Sequence, residues 1–234
     1  MRILAVSAHP DDIEFAAAGS VAAWVQEGHE VSYAIVTDGS TGTEDAGLHG
    51  QRLAEIRRQE TLDAAAAVGV ADVTFLGYTD GSVEPTLGLR RDIARVFRSA
   101  RPHRLLAMDP APLPGGWFVN HPDHRAVGHA TLDVTVTAGT TVGHFPDLLE
   151  DGLPPWRDLR EIYVMGPAGG ETAVDISHTI ELKMKALLAH RSQVSEETAE
   201  RMRQATAMNG RPHGYAHAEL FHRVVPLGAS DDQE

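Results

Sequence analysis

The stretch Ala5-Val6-Ser7-Ala8-His9-Pro10-Asp11-Asp12-Ile13-Glu14 decides how the rest of the chain is interpreted. Its apolar start is typical of a buried strand, and four side chains that can bind a metal or move a proton follow at once. His9 and Asp12 stand three apart across a turn, so both can approach one cation from the same side, while Asp11 points elsewhere. A ligand pair with a spare carboxylate is what metal-assisted hydrolysis requires.

Length and composition limit the class of protein. The chain has 234 residues, 42% of them hydrophobic, which is enough for a substantial core in one α/β domain. We expect this domain to span residues 1–228 and residues 229–234 to form a disordered acidic tail. The formal net charge of −13 repels phosphate backbones and anionic lipids, so we expect neither nucleic acids nor membranes as partners.

The chain has no Cys, which excludes thiol catalysis, Cys-ligated zinc, iron–sulfur clusters and disulfides. The apolar run at the N-terminus is too short for a signal peptide, and no run of roughly 18 apolar residues follows it. We therefore expect a cytoplasmic protein.

Strands and helices alternate along the first part of the chain. The predicted strands are 2–8, 30–36, 73–76 and 104–108, and the predicted helices are 14–26, 52–68, 89–97 and 122–136. This alternation predicts an α/β, Rossmann-like fold of three layers, in which a mostly parallel twisted sheet carries helices on both faces. Ligands of such sheets bind at the carboxyl ends of the strands.

The alternation weakens beyond residue 139. Residues 146–157 are rich in Pro and acids, which predicts an exposed excursion near the mouth of the site. The further predicted elements are strands at 162–165 and 173–176, helices at 179–190 and 195–208, and an extended segment at 218–225.

A second polar cluster, His121-Pro122-Asp123-His124, begins the helix predicted after the fourth strand. Its two histidines stand three apart and share one helical face, and a Pro fits the first turn of a helix. A lone histidine is usually structural, but this cluster and the one at residues 9–12 fall at the same edge of the predicted sheet. The two together predict a metal site. The Gly-rich loop Thr37–Thr43 at that edge could bind a ligand or be only a turn.

The two clusters resemble the metal motifs of the zinc-dependent N-acetylglucosaminyl deacetylases of the PIG-L/LmbE type, which include enzymes of mycothiol and bacillithiol synthesis. The resemblance covers nearly the whole chain. Weaker supporting matches are Thr37-Asp38-Gly39, Ile56-Arg57 with Glu60, Phe75 to Tyr78 with Asp80-Gly81, Lys183 to Gln193, and Ala218 to Phe221.

The resemblance implies that His9, Asp12 and His124 bind the metal and leave positions open for water and a substrate carbonyl. Two histidines and one carboxylate suit Zn²⁺, and Fe²⁺ is compatible with the same set. The resemblance further implies that Asp11 is the general base, which removes a proton from the attacking water and later protonates the leaving amine.

Other roles are implied in the same way. His121 would be positively charged and would stabilise the tetrahedral oxyanion or act as an acid, with Asp123 holding its ring. Arg57 stands where the family has an arginine that grips sugar hydroxyls or a phosphate, although a solvated surface charge is the default for an arginine on a helix. Asp80 stands where the family has an acid near the sugar. The mycothiol branch has a tyrosine shortly before the second motif, and here Asn120 could donate an amide hydrogen bond in its stead.

The leading hypothesis is a metal-dependent hydrolase that removes acetyl from an N-acetylated amino sugar or a glucosaminide conjugate. The alternative is an amidase of the same family that cleaves a larger acyl group from a thiol conjugate or natural-product precursor, with residues 110–120 and 144–157 shaping the acyl site. A non-catalytic sugar-binding module is disfavoured because every expected metal and acid/base residue is present.

A dinucleotide-binding dehydrogenase is excluded, because residues 9–14 occupy the place of its Gly-x-Gly-x-x-Gly turn. The partner we expect is a small-molecule N-acyl amino sugar. Relatives are often oligomeric, and a homo-oligomer could use Trp117 and Phe118 at an interface.

Overall fold

Seven strands form one sheet in the computed structural model, which describes residues 1–116, 118–166 and 169–226. The strand order is β3-β2-β1-β4-β5-β7-β6; the first five strands are parallel, and β7 is antiparallel to both of its neighbours. The predicted mostly parallel sheet is therefore confirmed. The strands are β1 Arg2–Ser7, β2 Glu30–Thr37, β3 Asp72–Tyr78, β4 Arg104–Met108, β5 Glu161–Met165, β6 Thr172–Asp175 and β7 Ala218–Val224.

Helices cover both faces of this sheet. They are α1 Asp12–Ala16, α2 Ala18–Gln26, α3 Gln51–Ala67, α4 Leu87–Ala100, α5 Pro122–Val136, α6 Pro146–Glu150, α7 Ile180–Ala189 and α8 Glu196–Gly210, with short 3₁₀ turns at Pro114–Gly116 and Arg211–His213. α2 and α3 pack with α7, whereas α4 packs with α5. The chain steps from β1 to β2 and β3 in one direction and continues on the other side of β1 with β4 and β5. Right-handed crossovers therefore place the two groups of helices on opposite faces.

The central position of β1 explains why its sequence does not alternate between apolar and polar residues. Ile3, Leu4, Ala5 and Val6 are each at most 1% exposed, because helices cover the strand on both faces. A strand buried on both sides needs apolar residues at every position. The core of the molecule thus lies directly beneath the polar cluster that follows β1.

One helix of the sequence analysis is two helices in the structure. The predicted helix over 14–26 is interrupted at Ala17, whose φ of −144° and ψ of 0° lie outside the helical range. α1 is therefore only five residues long and is separate from α2. Side chains far along the chain fill the break, which no local pattern could indicate.

The excursion at residues 146–157 lies away from the site mouth, which corrects its predicted position. Arg91 pairs with Asp147, and Arg95 Nη2 donates to Asp151 Oδ2 at 2.7 Å, so the segment is held along α4. Farther on, the Trp156 indole nitrogen donates to the Pro102 carbonyl oxygen, near the amino end of β4. The site is at the opposite edge of the sheet, so this segment does not shape it.

Two sequence predictions concern residues outside the described ranges. They are the disordered tail at 229–234 and the place of Trp117 at an oligomer interface. The assignment of residues 1–228 to one domain stays a prediction. Across the part of the chain that the structure describes, each helix is too short or too polar to cross a membrane.

Gly128 allows α5 to pack closely against the end of β4, and its replacement tests that packing. A Cβ at this position would lie 2.5 Å from the Met108 carbonyl oxygen, which is main chain and cannot rotate away. We expect Gly128→Ala to lower the free energy of unfolding by about 1–3 kcal/mol, as overpacking typically does. The measurement is urea-induced unfolding followed by circular dichroism.

Gly143→Ala is the matched control, because nothing lies within 4 Å of its Cβ position and its φ is outside the left-handed region. Its effect should be neutral or a gain of about 0.4–1 kcal/mol from the restricted unfolded chain. Equal stability of the two variants would contradict the close packing of α5 on β4.

Candidate active site

Both polar clusters lie at the carboxyl edge of the sheet, where β1 and β4 are neighbours. His9 follows β1 and Asp12 begins α1, whereas His121 precedes α5 and His124 lies in its first turn. The strand order reverses between β1 and β4, and crevices at such points are where open α/β sheets bind ligands. The fold therefore brings together His9 and His124, which are 115 positions apart in the chain.

Three side chains converge on one point. His9 Nδ1 lies 3.1 Å from His124 Nε2, His124 Nε2 lies 3.1 Å from Asp12 Oδ1, and Asp12 Oδ2 lies 3.5 Å from His9 Nδ1. A tetrahedral Zn²⁺ with bonds of about 2.0–2.2 Å separates its ligand atoms by roughly 3.3–3.6 Å. The spacing and the donor chemistry of the three residues therefore fit a divalent cation.

Two carboxylates hold the His9 ring from its other side. Its Nε2 lies 3.1 Å from Asp80 Oδ1 and 3.3 Å from Asp123 Oδ2. Asp123 in turn accepts hydrogen bonds from the main-chain N–H groups of Gly81 and Val83. Contacts of this kind fix the orientation of a metal-binding ring. They leave His9 Nδ1 directed at the point where the other two ligand atoms meet.

The electrostatic field at this point favours positive charge. Although burial acts to lower it, the pKa of His9 is raised to about 12, because Asp12, Asp123 and Asp80 surround the ring. The pKa of Asp12 is lowered, since the neighbouring histidines outweigh its burial. A field that retains a proton on His9 also favours a cation bound between these side chains.

A second group of ring nitrogens overlaps the first. One ring nitrogen from each of His9, His121 and His124 lies within 4.8 Å of the other two. His121 is exposed, however, and its Nδ1 accepts a hydrogen bond from the main-chain N–H of Asp123 at 3.3 Å, which caps α5. The shorter distances to Asp12 favour the set of His9, Asp12 and His124.

The contacts of His121 differ from those expected. The carboxylate of Asp123 lies against His9, so it does not hold the His121 ring as the sequence analysis predicted. Burial and the charge on His9 lower the pKa of His121, and its positive charge stays a prediction from the sequence. Because Nδ1 accepts a hydrogen bond, a neutral His121 carries its proton on Nε2 and can donate it to a ligand.

Asp11 adopts a strained backbone conformation. Its φ of 99° and ψ of −24° lie in the left-handed region, which is uncommon for residues other than glycine. Such strain typically costs about 1–3 kcal/mol and is concentrated at functional sites. Burial raises the pKa of the Asp11 carboxyl to about 7, although the charge of Arg57 opposes this shift. The carboxyl group is thus able to accept and release a proton near neutral pH.

Arg57 is buried beneath the site and is not a surface charge. Its Nη2 donates to the Pro10 carbonyl oxygen at 2.6 Å and to Asp11 Oδ2 at 3.1 Å, and its Nη1 donates to the Gly39 carbonyl oxygen at 3.1 Å. A Cβ on Gly39 would lie 2.7 Å from Nη1. The loop Thr37–Thr43 therefore passes over the guanidinium and is part of the site, which decides against the simple turn.

A cavity of about 410 Å³ opens over these side chains. All of its lining residues except Gly42 carry polar side chains, which suit a ligand rich in hydroxyl groups. Asp80 lines the cavity, and its Oδ2 also accepts hydrogen bonds from the main-chain N–H and the hydroxyl of Thr41. The lining residues are His9, Asp11, Thr41, Gly42, Arg57, Asp80, His121 and His124.

Asn120 has a different role from the one expected. It is 2% exposed, and its Nδ2 donates to the carbonyl oxygens of Asp109 and Ala111. Both amide hydrogens are therefore used within the loop before α5. This corrects the prediction that Asn120 donates a hydrogen bond to the substrate.

The sequence analysis assigned no role to the charged residues buried under α1. His190 Nε2 lies 3.1 Å from Glu14 Oε2, and both side chains are almost fully buried. Burial acts against it, but the contact with Glu14 raises the pKa of His190. Lys183, which lies in α7 seven positions before His190, is also fully buried. Polar residues on otherwise apolar stretches of α7 were the signal that could have found them.

Known proteins resemble this chain over most of its length. The family model described as GlcNAc-PI de-N-acetylase matches residues 4–135, which include both polar clusters. A diacetylchitobiose deacetylase of Thermococcus kodakarensis is 31% identical, over 96% of this chain and 83% of that protein. A probable N-acetyl-alpha-D-glucosaminyl L-malate deacetylase 2 of Bacillus cereus is 28% identical, over 82% of this chain and 83% of that protein.

A solved structure also resembles this chain. The N,N'-diacetylchitobiose deacetylase from Pyrococcus horikoshii, complexed with its inhibitor MPG, superposes with a TM-score of 0.88 at 30% identity and covers 98% of this chain and 85% of that chain. The family resemblance drawn from the two motifs is thereby confirmed. The chain belongs to the GlcNAc-PI de-N-acetylase (PIG-L) family.

Proposed function

We propose that the protein is a metal-dependent hydrolase that removes the acetyl group from an N-acetylated amino sugar or a glucosaminide conjugate. The convergence of His9, Asp12 and His124 at ligand spacing carries this proposal. Asp11 precedes Asp12 in a strained conformation, and its Oδ2 accepts a hydrogen bond from Arg57. Three ligands and an adjacent carboxylate are the parts needed for metal-assisted hydrolysis.

The names of the relatives support the substrate class. One relative is named for diacetylchitobiose and another for an N-acetylglucosaminyl malate. The part common to both names is an N-acetylated glucosamine unit. The polar cavity over the site is compatible with a sugar, so we propose an acetamido sugar as the group that is recognised.

His9, Asp12 and His124 would hold the divalent cation, which supplies Lewis acidity for the scissile carbonyl and the attacking water. Asp11 accepts a proton from the attacking water and returns it to the leaving amine, and Arg57 holds the Asp11 carboxylate in place. His121 donates a hydrogen bond from Nε2 to the developing oxyanion. Each of these steps uses a side chain that lines the cavity or directs one that does.

We propose Zn²⁺ as the metal, and Fe²⁺ remains compatible with two histidines and one carboxylate. An amidase acting on a larger acyl group is the alternative function. Residues 146–157 lie along α4 and away from the site, so they do not shape an acyl site for such a reaction. Formation of a homo-oligomer and a cytoplasmic location stay predictions from the sequence.

Turnover of defined substrates tests the proposed function. We expect the zinc-reconstituted protein to release free amine from at least one N-acetylglucosamine derivative in a panel of free, phosphorylated, nucleotide-linked, inositol-linked and malate-linked sugars and diacetylchitobiose. Treatment with EDTA should abolish the release, and added zinc should restore it. Activity only on amides with longer acyl groups would favour the alternative, and activity unaffected by EDTA would contradict the metal-dependent reaction.

Replacement of Asp11 tests the general base. Asn tolerates the left-handed backbone, so Asp11→Asn should retain the local fold better than Asp11→Ala. We expect either change to lower kcat by ~10²–10⁴-fold, because general base catalysis typically contributes that much, and to leave the zinc content unchanged. Asp63→Asn, at an exposed position of α3, is the control and should behave as the wild type. Turnover of Asp11→Asn within a few-fold of wild type would remove Asp11 from the mechanism.

Replacement of His124 tests the ligand set. We expect His124→Ala to weaken zinc binding by more than about 100-fold, since even groups that only orient metal ligands typically change affinity 10–100-fold. Isothermal titration with a competing chelator measures this. His129→Ala changes an exposed histidine of the same helix and should bind zinc as the wild type does. Equal affinities of the two variants would exclude His124 as a ligand.

A further inference from the structure

A buried ion pair fills the break between α1 and α2. Lys183 Nζ lies 2.6 Å from Glu219 Oε1, and the two side chains are 0% and 3% exposed. Lys183 comes from α7 and Glu219 from β7, so both belong to the second half of the chain. Neither residue lines the cavity over the site.

The lysine satisfies the end of α1. Its Nζ donates to the carbonyl oxygens of Glu14 at 2.7 Å and Phe15 at 2.8 Å. The last carbonyl groups of a helix have no partner within the helix, and when buried they need one. Lys183 thus supplies the hydrogen bonds that the next helical turn would give to these two carbonyl oxygens if the helix were not interrupted at Ala17.

The glutamate satisfies the start of α2. Glu219 accepts hydrogen bonds from the main-chain N–H of Gly19 at 3.1 Å and of Ser20 at 2.7 Å, and from the Ser20 hydroxyl at 2.6 Å. The first N–H groups of a helix likewise lack partners within the helix. Each member of the pair therefore binds one of the two helix ends, and their charges match the ends that they bind.

The direction of α1 depends on contacts outside the helix. A helix of five residues is not stable by itself, so its orientation depends on tertiary contacts. α1 starts with Asp12 and follows directly on Asp11, and a rotation of α1 would displace both carboxylates. The Glu14 side chain adds a second anchor on α7 through its contact with His190.

We propose that Lys183 and Glu219 are positioning residues for the reaction, which hold α1 so that Asp11 and Asp12 face His9 and His124. This inference rests on the proposed function only for its catalytic consequence. A purely structural pair would add stability without affecting the placement of these carboxylates.

Replacing both charges by apolar side chains of similar size separates the two roles. Buried ion pairs replaced in this way often lose no stability, whereas the hydrogen bonds to the helix ends are lost. We expect Lys183→Met/Glu219→Met to unfold cooperatively but to bind zinc at least tenfold more weakly and to have a kcat at least tenfold lower, with KM within about twofold. Glu219→Gln, which keeps the shape and one acceptor, should fall between the wild type and the double variant.

Hydrogen–deuterium exchange gives a measure that does not depend on activity. Peptides that cover residues 9–18 should exchange at least tenfold faster in both variants, while peptides from α5 stay unchanged. Glu181→Gln, at an exposed position of α7, is the control and should match the wild type in every measurement.

A folded double variant with the zinc affinity, kcat and exchange of the wild type would overturn the inference. If the double variant does not fold, Glu219→Gln is the test. Wild-type exchange of residues 9–18 and wild-type zinc affinity in that variant would overturn the inference. If the wild type deacetylates no sugar, the proposed function fails, and the exchange of residues 9–18 still supports or overturns the positioning role.

Discussion

The parallel pairing of β1 with β4 is the constraint on which the site depends. Both strands end at one edge of the sheet, and the chain leaves them toward opposite sides, so the first turns of α1 and α5 face each other. Acidic groups are thereby crowded around His9, whose pKa rises to about 12 in response. A divalent cation among Asp12, His9 and His124 would reduce this repulsion. The same crowding that makes the edge electrostatically unfavourable thus makes it suitable for a metal.

Support for this edge comes from the far end of the chain. α7 supplies Lys183 to the end of α1, and His190 just after it contacts the Glu14 side chain. The next residues bind α3, since Ser192 donates from its main-chain N–H and its hydroxyl to Glu60. α3 carries Arg57, which holds Asp11. One helix and the turn after it therefore anchor both elements that position the carboxylates, although they contribute no residue to the cavity itself.

Sequence patterns predicted the elements well and the contacts of single side chains less well. The strands before both motifs and the helix that bears His124 have the predicted order, because apolar periodicity reports burial directly. The predicted roles of Asn120 and Asp123 needed distances that periodicity does not contain. Asn120 binds main-chain carbonyls of its own loop, and Asp123 holds His9 in place of His121. A hydrogen-bond partner depends on displacements of an ångström or two, which a residue type does not encode.

By itself the sequence determined the α/β class, the two motifs and the edge of the sheet at which they meet, because local patterns report the succession of strands and helices and their burial. Only the tertiary structure decided that the first helix breaks at Ala17, that Asp11 lies at a left-handed φ, and that Arg57 is buried. The break is stable because Lys183 and Glu219, more than 160 positions away, satisfy both helix ends. A local pattern can mark a polar residue as unusual, but it does not show which distant residue is its partner, so these contacts became visible only in the folded structure.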